Sequence, residues 1–305
     1  MVIPGWLVEG QGGSGNASRG LFVRRRRDGL PGYAKVFDVA NVAAAMRDTA
    51  AARRVIAWAF QTEQTLLSRT RDCSRLITLL DAQPPTRKTP GVLVFERASH
   101  SAAALFRQPA PHACAALLDA SQALRQLHHR GIVHQDLKAA NLLSVVRNAH
   151  ARWVLADLGR ASSADCWGPF AHHWVVGDRA HAPPELLFGA GSRGWRSRGV
   201  ATDLWLLGAL AFELLLGQPL TAWLWAHVPA RARPPYPDAP TPDCPGLWAR
   251  EQPAWARAIR LASDQVRREA RIHGCDPASS RSIRDDFLAR CAIDWRNRRF
   301  AAPRS

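Results

Sequence analysis

His134-Gln135-Asp136-Leu137-Lys138-Ala139-Ala140-Asn141-Leu142-Leu143, followed at Trp153 to Gly159 by WVLADLG, is the stretch whose reading decides the fold of this chain. A carboxylate (Asp136), an ammonium (Lys138), a carboxamide (Asn141) and a second carboxylate (Asp157) follow one another here between short apolar runs. Phosphoryl transfer calls for such a set: a carboxylate that orients the acceptor, oxygen donors that hold a divalent metal against phosphates, and positive charge for the developing anion. Each residue alone reads as an ordinary loop residue, and it is the joint spacing that carries the chemistry.

Upstream, Trp6 to Phe37 alternates short apolar pieces with turn chemistry: WLVE, the glycine-rich GQGGSGNASRG, LFV, RRRRDGLPG and YAKVF. This predicts three antiparallel strands. Gly10, Gly12 and Gly15 form a GxGxxG between the first two, a loop whose bare backbone can approach phosphates. A dinucleotide-binding fold would place a helix after the triplet, whereas LFVRRRR follows, so the triplet reads as a strand-loop-strand flap or as a plain flexible hairpin. Of the 41 basic residues only Lys35, Lys88 and Lys138 are lysines. A lysine kept against so strong an arginine bias marks a position that demands it. Lys35 sits inside an apolar strand, where an ammonium needs a partner. Glu63, in FQTEQTLL, is the sole glutamate between Lys35 and Glu96 and is the expected partner. The long interval between the two points to an insertion around Val39 to Trp58. Val39 to Ser68 reads as a helical segment and Val92 to Glu96 as a further strand. Beyond Arg97 the pattern turns to long helical stretches, Ala113 to Arg130 and Leu204 to Leu216, with Pro/Gly-rich loops such as Pro229 to Gly246. The fold class expected is α+β, a small sheet lobe over residues 1–96 and a helical lobe over 97–305.

On these residues the chain resembles a eukaryotic-type protein kinase catalytic domain of the Ser/Thr branch, from near Met1 to near Ser305. The resemblance implies a bilobal fold, ATP and Mg2+ as cofactors, and protein substrates. It implies that Gly10, Gly12 and Gly15 cover the nucleotide phosphates, that Lys35 holds the α- and β-phosphates, and that Glu63 pairs with Lys35. Phe95 becomes the gatekeeper, and Glu96 to Ala98 the hinge that meets adenine. Asp136 becomes the catalytic base, Lys138 stabilises the transferring group, and Asn141 and Asp157 bind magnesium. Pro183-Pro184-Glu185 resembles the Ala-Pro-Glu that closes the activation segment. Asp203 resembles the aspartate that begins a buried central helix and holds the catalytic loop. Arg298, in Asp294-Trp295-Arg296-Asn297-Arg298, resembles the arginine that pairs with the Glu185 counterpart.

Three positions depart from the pattern. Gln135 stands where many kinases carry an arginine for a phosphorylated loop, and between Asp157 and Glu185 only Ser162 and Ser163 bear a phosphorylatable hydroxyl. Activity without loop phosphorylation is therefore expected. Asp178 stands where Ser/Thr kinases carry a threonine, and His181 where tyrosine is common. A carboxylate there either raises a pKa by repulsion with Asp136 or takes Lys138 as its partner. Leu158 replaces the phenylalanine of Asp-Phe-Gly.

Composition narrows the rest. At 305 residues and 47% hydrophobic the chain can build a sizeable core, which excludes a basic disordered tail. The formal charge of +16 reads as arginine bias that would steer acidic protein substrates, and no specific nucleic-acid binding is expected. The six cysteines lack CxxC pairs, and no secretory leader is visible, so a reduced cytoplasmic setting is expected. Cys166, His172 and His173 make an incomplete zinc set. The tryptophans read as packing residues. Leu204 to Val228 imitates a membrane span, but its apolar run is interrupted at Gly217 and Pro219, so a buried helix is expected and no membrane span. Because the resemblance runs almost from end to end, no sensor domain or anchor is expected, and nothing in the sequence sets the oligomeric state. Two further readings stay open: a pseudokinase scaffold, and a small-molecule kinase of the aminoglycoside phosphotransferase type.

Overall fold

The computed structural model describes residues 2–15, 17–190, 194–234 and 244–299. Its N-terminal part is an antiparallel sheet in the order β1-β2-β3-β5-β4, with β1 Trp6–Ser14, β2 Ser18–Arg25, β3 Pro31–Phe37, β4 Leu79–Gln83 and β5 Val92–Glu96. Val23, Ala34, Val36, Val92 and Val94 alternate onto one face and bury it with Trp6 and Leu21. The other face carries Lys35 and packs against a helix. The expected single helical segment is two, α1 Val39–Met46 and α2 Thr49–Arg69. They break at Arg47, which has a left-handed φ of 54°, and Asp48 then caps α2 by accepting the Ala51 N–H. Strand β4 has no counterpart among the expected strands: its residues are all partly buried at the sheet edge, so its apolar alternation is weak.

The remaining elements run β6 His100–Ser101, α3 Ala110–His129, β7 Ile132–Val133, β8 Leu142–Arg147, β9 His150–Leu155, β10 Ser162–Ser163, α4 Pro184–Leu187, α5 Trp195–Leu216, α6 Leu220–His227, α7 Cys244–Ile272 and α8 Pro277–Arg290. The alanine-rich face of α3, with Ala116, Ala120, Ala123 and Leu124 fully buried, lies against α5, and α7 and α8 close the far side around Trp205, Trp255, Phe212 and Phe287. Helix α5 is long and apolar enough to cross a membrane, yet 89% of its apolar window is buried inside the protein, as expected for a core helix. It starts earlier than the sequence suggested, so Asp203 lies within it rather than at its beginning. Gly199 obscured that start in the sequence, and a Cβ there would meet Val133 Cγ2 at 2.6 Å, so the glycine lets α5 approach β7. Gly217, with φ 74°, ends the helix in the left-handed conformation. Most of the expected Pro229 to Gly246 loop lies outside the described residues.

Candidate active site

The catalytic-loop residues are held from below by α5. The buried Asp203 carboxylate accepts the N–H groups of His134 at 2.9 Å and Gln135 at 2.6 Å, and lies 2.7 Å from His128 Nε2. This fixes Gln135 in the left-handed region, φ 65°, and turns Asp136 out of the turn. His134 is fully buried. Its Nε2 faces the Ala156 carbonyl at 3.1 Å and its Nδ1 accepts the Asp136 N–H at 3.2 Å. That pairing assigns a ring protonated on Nε2, a structural tie between the two functional loops rather than a base.

Asp136 and Asn141 form one unit. Asn141 donates its side-chain N–H groups to the Asp136 carbonyl at 2.8 Å and to Asp136 Oδ2 at 3.2 Å, and the Asp178 N–H donates to Asp136 Oδ1 at 3.1 Å. Lys138 Nζ stands 3.4 Å from Asp136 Oδ2 and 3.5 Å from Asp178 Oδ2. Burial alone lowers the Lys138 ammonium, but the Asp136 and Asp178 charges outweigh it and hold its pKa above the ordinary value. Asp178 takes the second of the outcomes expected for it: it pairs with Lys138, and its pKa is lowered, chiefly by His181 and against the effect of burial.

Across the cleft, Lys35 on β3 reaches Glu63 on α2, with Nζ 2.9 and 2.8 Å from the two carboxylate oxygens, and Asp157 Oδ1 at 2.7 Å. The break between α1 and α2 absorbs the long sequence interval and leaves Glu63 on the face of α2 that meets the sheet. Desolvation would lower the Lys35 pKa, but the Asp157 and Glu63 carboxylates raise it well above the usual lysine range. Glu63, with a side chain 1% exposed, is pushed up to about 6 by burial, only partly offset by Lys35. Asp157 is lowered: burial opposes ionisation, and the Lys35 charge and hydrogen bond outweigh it. Asp157 also has φ 62° and ψ 75°, a left-handed conformation that costs a non-glycine residue about 1–3 kcal/mol. Its own Oδ1, accepting the Gly159 N–H at 3.2 Å, helps to hold that turn.

The donor set suits a magnesium ion. Asn141 spends its amide N–H groups on Asp136, leaving its carboxamide oxygen, and Asp157 spends Oδ1 on Lys35 and Gly159, leaving Oδ2. Two hard oxygen donors from the protein, with phosphates and water completing the shell, is the manner in which magnesium is usually held.

The glycine hairpin differs from expectation in detail. Gly10 and Gly12 lie within β1, which has register shifts at Val8/Gly10 and Gln11/Ser14, and Gly15 stands at the turn, donating its N–H to Ser18 O at 2.7 Å. A Cβ on Gly12 would meet the Tyr33 ring at 2.6 Å, and one on Gly20 would meet the Tyr33 hydroxyl at 1.7 Å. The tip of the Tyr33 ring therefore lies in a notch made by two glycines, on the same face of β3 as Lys35. At the expected hinge, Phe95 is buried, the Glu96 carboxylate is committed to Arg147 and to the Thr78 N–H, and Ala98 follows in the connection. Only the main chain of residues 96–98 is left to meet a ligand. Neither the Tyr33 notch nor Glu213, which accepts the Ala139 N–H at 3.0 Å from α5, is marked by any local sequence pattern. Both depend on registers that no local pattern encodes.

A family profile described as a protein kinase domain matches residues 13–224. Serine/threonine-protein kinase PknJ of Mycobacterium bovis is 34% identical over 154 residues, covering 49% of this chain and 25% of that protein. Serine/threonine-protein kinase Pkn1 of Myxococcus xanthus is 39% identical over 123 residues, 38% of this chain and 16% of that protein. Cyclin-dependent kinase 7 of Xenopus laevis is 42% identical over 98 residues, 32% of this chain and 25% of that protein. The chain thus spans a quarter or less of the length of these relatives. With the profile covering more than half of it, and the sheet lobe and helical lobe arranged around the site just described, the chain belongs to the protein kinase family.

Proposed function

We propose that this chain is an ATP- and magnesium-dependent protein kinase that phosphorylates serine or threonine hydroxyls of proteins. The observation that carries the reading is the Lys35–Glu63–Asp157 assembly, closed across the cleft at hydrogen-bond distances. Glu63 holds the Lys35 ammonium where it can meet the α- and β-phosphates, beneath the hairpin of Gly10, Gly12 and Gly15. Asn141 and Asp157 would hold magnesium through the Asn141 carboxamide oxygen and Asp157 Oδ2, and the ion would supply positive charge to the nucleotide phosphates. Asp136, oriented by Asn141 and by the Asp178 N–H, accepts the acceptor hydroxyl proton. Lys138 offsets the charge that builds on the transferring group. The adenine meets the main chain of Glu96 to Ala98. Serine or threonine acceptors are favoured by Lys138 two residues after Asp136 and by the two relatives named as serine/threonine-protein kinases. The charge of +16 favours acidic protein partners through long-range steering, and the free thiols among the described cysteines suit a reducing, cytoplasmic setting.

Asp136→Asn tests the assignment of the base. ATP affinity, read by titration with a fluorescent analogue, should be unchanged, while the rate of transfer falls on the order of 10²-fold or more. Undiminished transfer by the variant would remove Asp136 from the chemistry. Acid hydrolysis of a labelled substrate should give phosphoserine or phosphothreonine, and phosphotyrosine alone would overturn the acceptor class.

A further inference from the structure

Beside the transfer site the His181 ring stands against the Asp178 carboxylate, and the roles assigned above make no use of His181. The His181 side chain is 7% exposed, with Nδ1 3.6 Å from Asp178 Oδ2 and Nε2 3.4 Å from Glu213 Oε1. Neither ring nitrogen makes a hydrogen bond of good geometry, so the ring is held between two carboxylates chiefly by charge. Both carboxylates reach the catalytic loop: Asp178 through Lys138 and, by its N–H, Asp136; Glu213 through the Ala139 N–H. The main chain of His181 is anchored as well, since Trp205 Nε1 donates to its carbonyl at 2.9 Å.

Resting on the kinase reading, we propose that His181 is a positioning residue, a buried imidazolium that balances Asp178 and Glu213 and so leaves Lys138 free to face the transferring phosphoryl group. Were the ring neutral, the buried Glu213 carboxylate would lose the imidazolium facing it, and the more exposed Asp178 would be left with Lys138, whose ammonium would be drawn toward it. Asp178 and His181 then act as a matched pair: a carboxylate at 178 is tolerated because a cation stands at 181. The groups facing the ring are Asp178 from its own segment and Glu213 from α5, with Lys138 and Asp136 behind Asp178. Burial lowers the His181 pKa, and these carboxylates outweigh it and raise it to about 9, so the ring is charged at neutral pH. The clamp is complete below the ordinary histidine value of 6.5 and is lost as pH rises through about 9.

The test compares wild type, His181→Asn, Asp178→Asn and Asp178→Asn/His181→Asn in steady-state kinetics from pH 6 to 10, with circular dichroism melts to confirm folding. His181→Asn should lower kcat on the order of tenfold or more with little change in KM for ATP, and should lose the alkaline limb near pH 9. The double variant should recover most of that loss, because removing the carboxylate with the cation restores the balance. If the double variant is as impaired as His181→Asn or worse, or if the alkaline limb survives in His181→Asn, the clamp is wrong. Absence of transfer by the wild type would instead defeat the kinase reading itself. Should His181→Asn not fold, His181→Arg decides: a cation that does not titrate below pH 10 should remove the alkaline limb near pH 9, and a limb that persists in that variant would overturn the clamp.

Discussion

At the scale of single residues, the cost of burying Glu63 sets a pH dependence. Its carboxyl titrates near 6 in the folded chain, against an ordinary 4.5, because desolvation outweighs the attraction of Lys35. The ion pair that positions Lys35 is therefore complete only above that range. Activity should fall as pH drops through about 6, while stability moves the other way: ionising this buried acid costs free energy as pH rises from 4.5 to 6. A kcat/KM profile should show an acid limb near 6, and Glu63→Gln should sit at a low plateau without that limb. An acid limb unchanged in Glu63→Gln would place the titration elsewhere. Lys35 was legible in the sequence because its lysine stood against an arginine-biased composition within an apolar strand. Tyr33 was not legible, because its fit over Gly12 and Gly20 depends on the pairing of Gly20 with Lys35 across β2 and β3, which no local pattern specifies.

At the scale of elements, α2 and the segment after Asp157 are tied together without phosphate. Trp58 Nε1 donates to Trp167 O at 2.7 Å, and Arg69 spans the Asp165 carboxylate with two contacts of 2.8 Å. Ser162 and Ser163 are both buried, and Ser162 Oγ accepts from Gln135 Nε2 at 3.1 Å and from Trp195 Nε1 at 2.8 Å. Gln135 thus does with a neutral amide what an arginine would do with a phosphate. Phosphatase treatment of the purified protein should leave its transfer rate unchanged, and a loss of activity on dephosphorylation would contradict this. Ser162→Ala should cost about 1–3 kcal/mol in a urea melt, since it removes the acceptor of the part-buried Trp195 Nε1 and leaves the buried Gln135 Nε2 only a longer contact to the Arg160 carbonyl. Arg69 and Asp165 are far more exposed, so breaking that pair should register weakly in the same melt. The three leading strands, β5 and the span of α3 could be read from apolar spacing and turn residues. The α1/α2 break, β4 and the early start of α5 could not, because a cap, an edge strand and a helix passing through Gly199 are set by tertiary packing.

At the scale of the whole molecule, the C-terminal part is built into the kinase body although the family profile stops at residue 224. Arg298 reaches back to Glu185 with contacts of 2.5 and 2.8 Å, both side chains at most 3% exposed, and its guanidinium lies 5.0 Å from the Trp205 ring centre. Cys291 closes on Gly208 so tightly that a Cβ there would meet its sulfur at 2.5 Å. Arg298→Ala should destabilise the fold by about 3–5 kcal/mol, read by chemical denaturation, because it leaves the Glu185 carboxylate buried and unpaired. A loss below about 1 kcal/mol would show that the terminal contact is peripheral. What the whole assembly is for rests on whether the closed cleft moves a phosphoryl group. Wild type and Asp157→Ala, incubated with γ-labelled ATP, magnesium and a panel of generic protein substrates, give the most direct answer. Label passing to protein with wild type and reduced at least a hundredfold in the variant is the predicted result; nucleotide binding by wild type with no label transferred to any protein would contradict it.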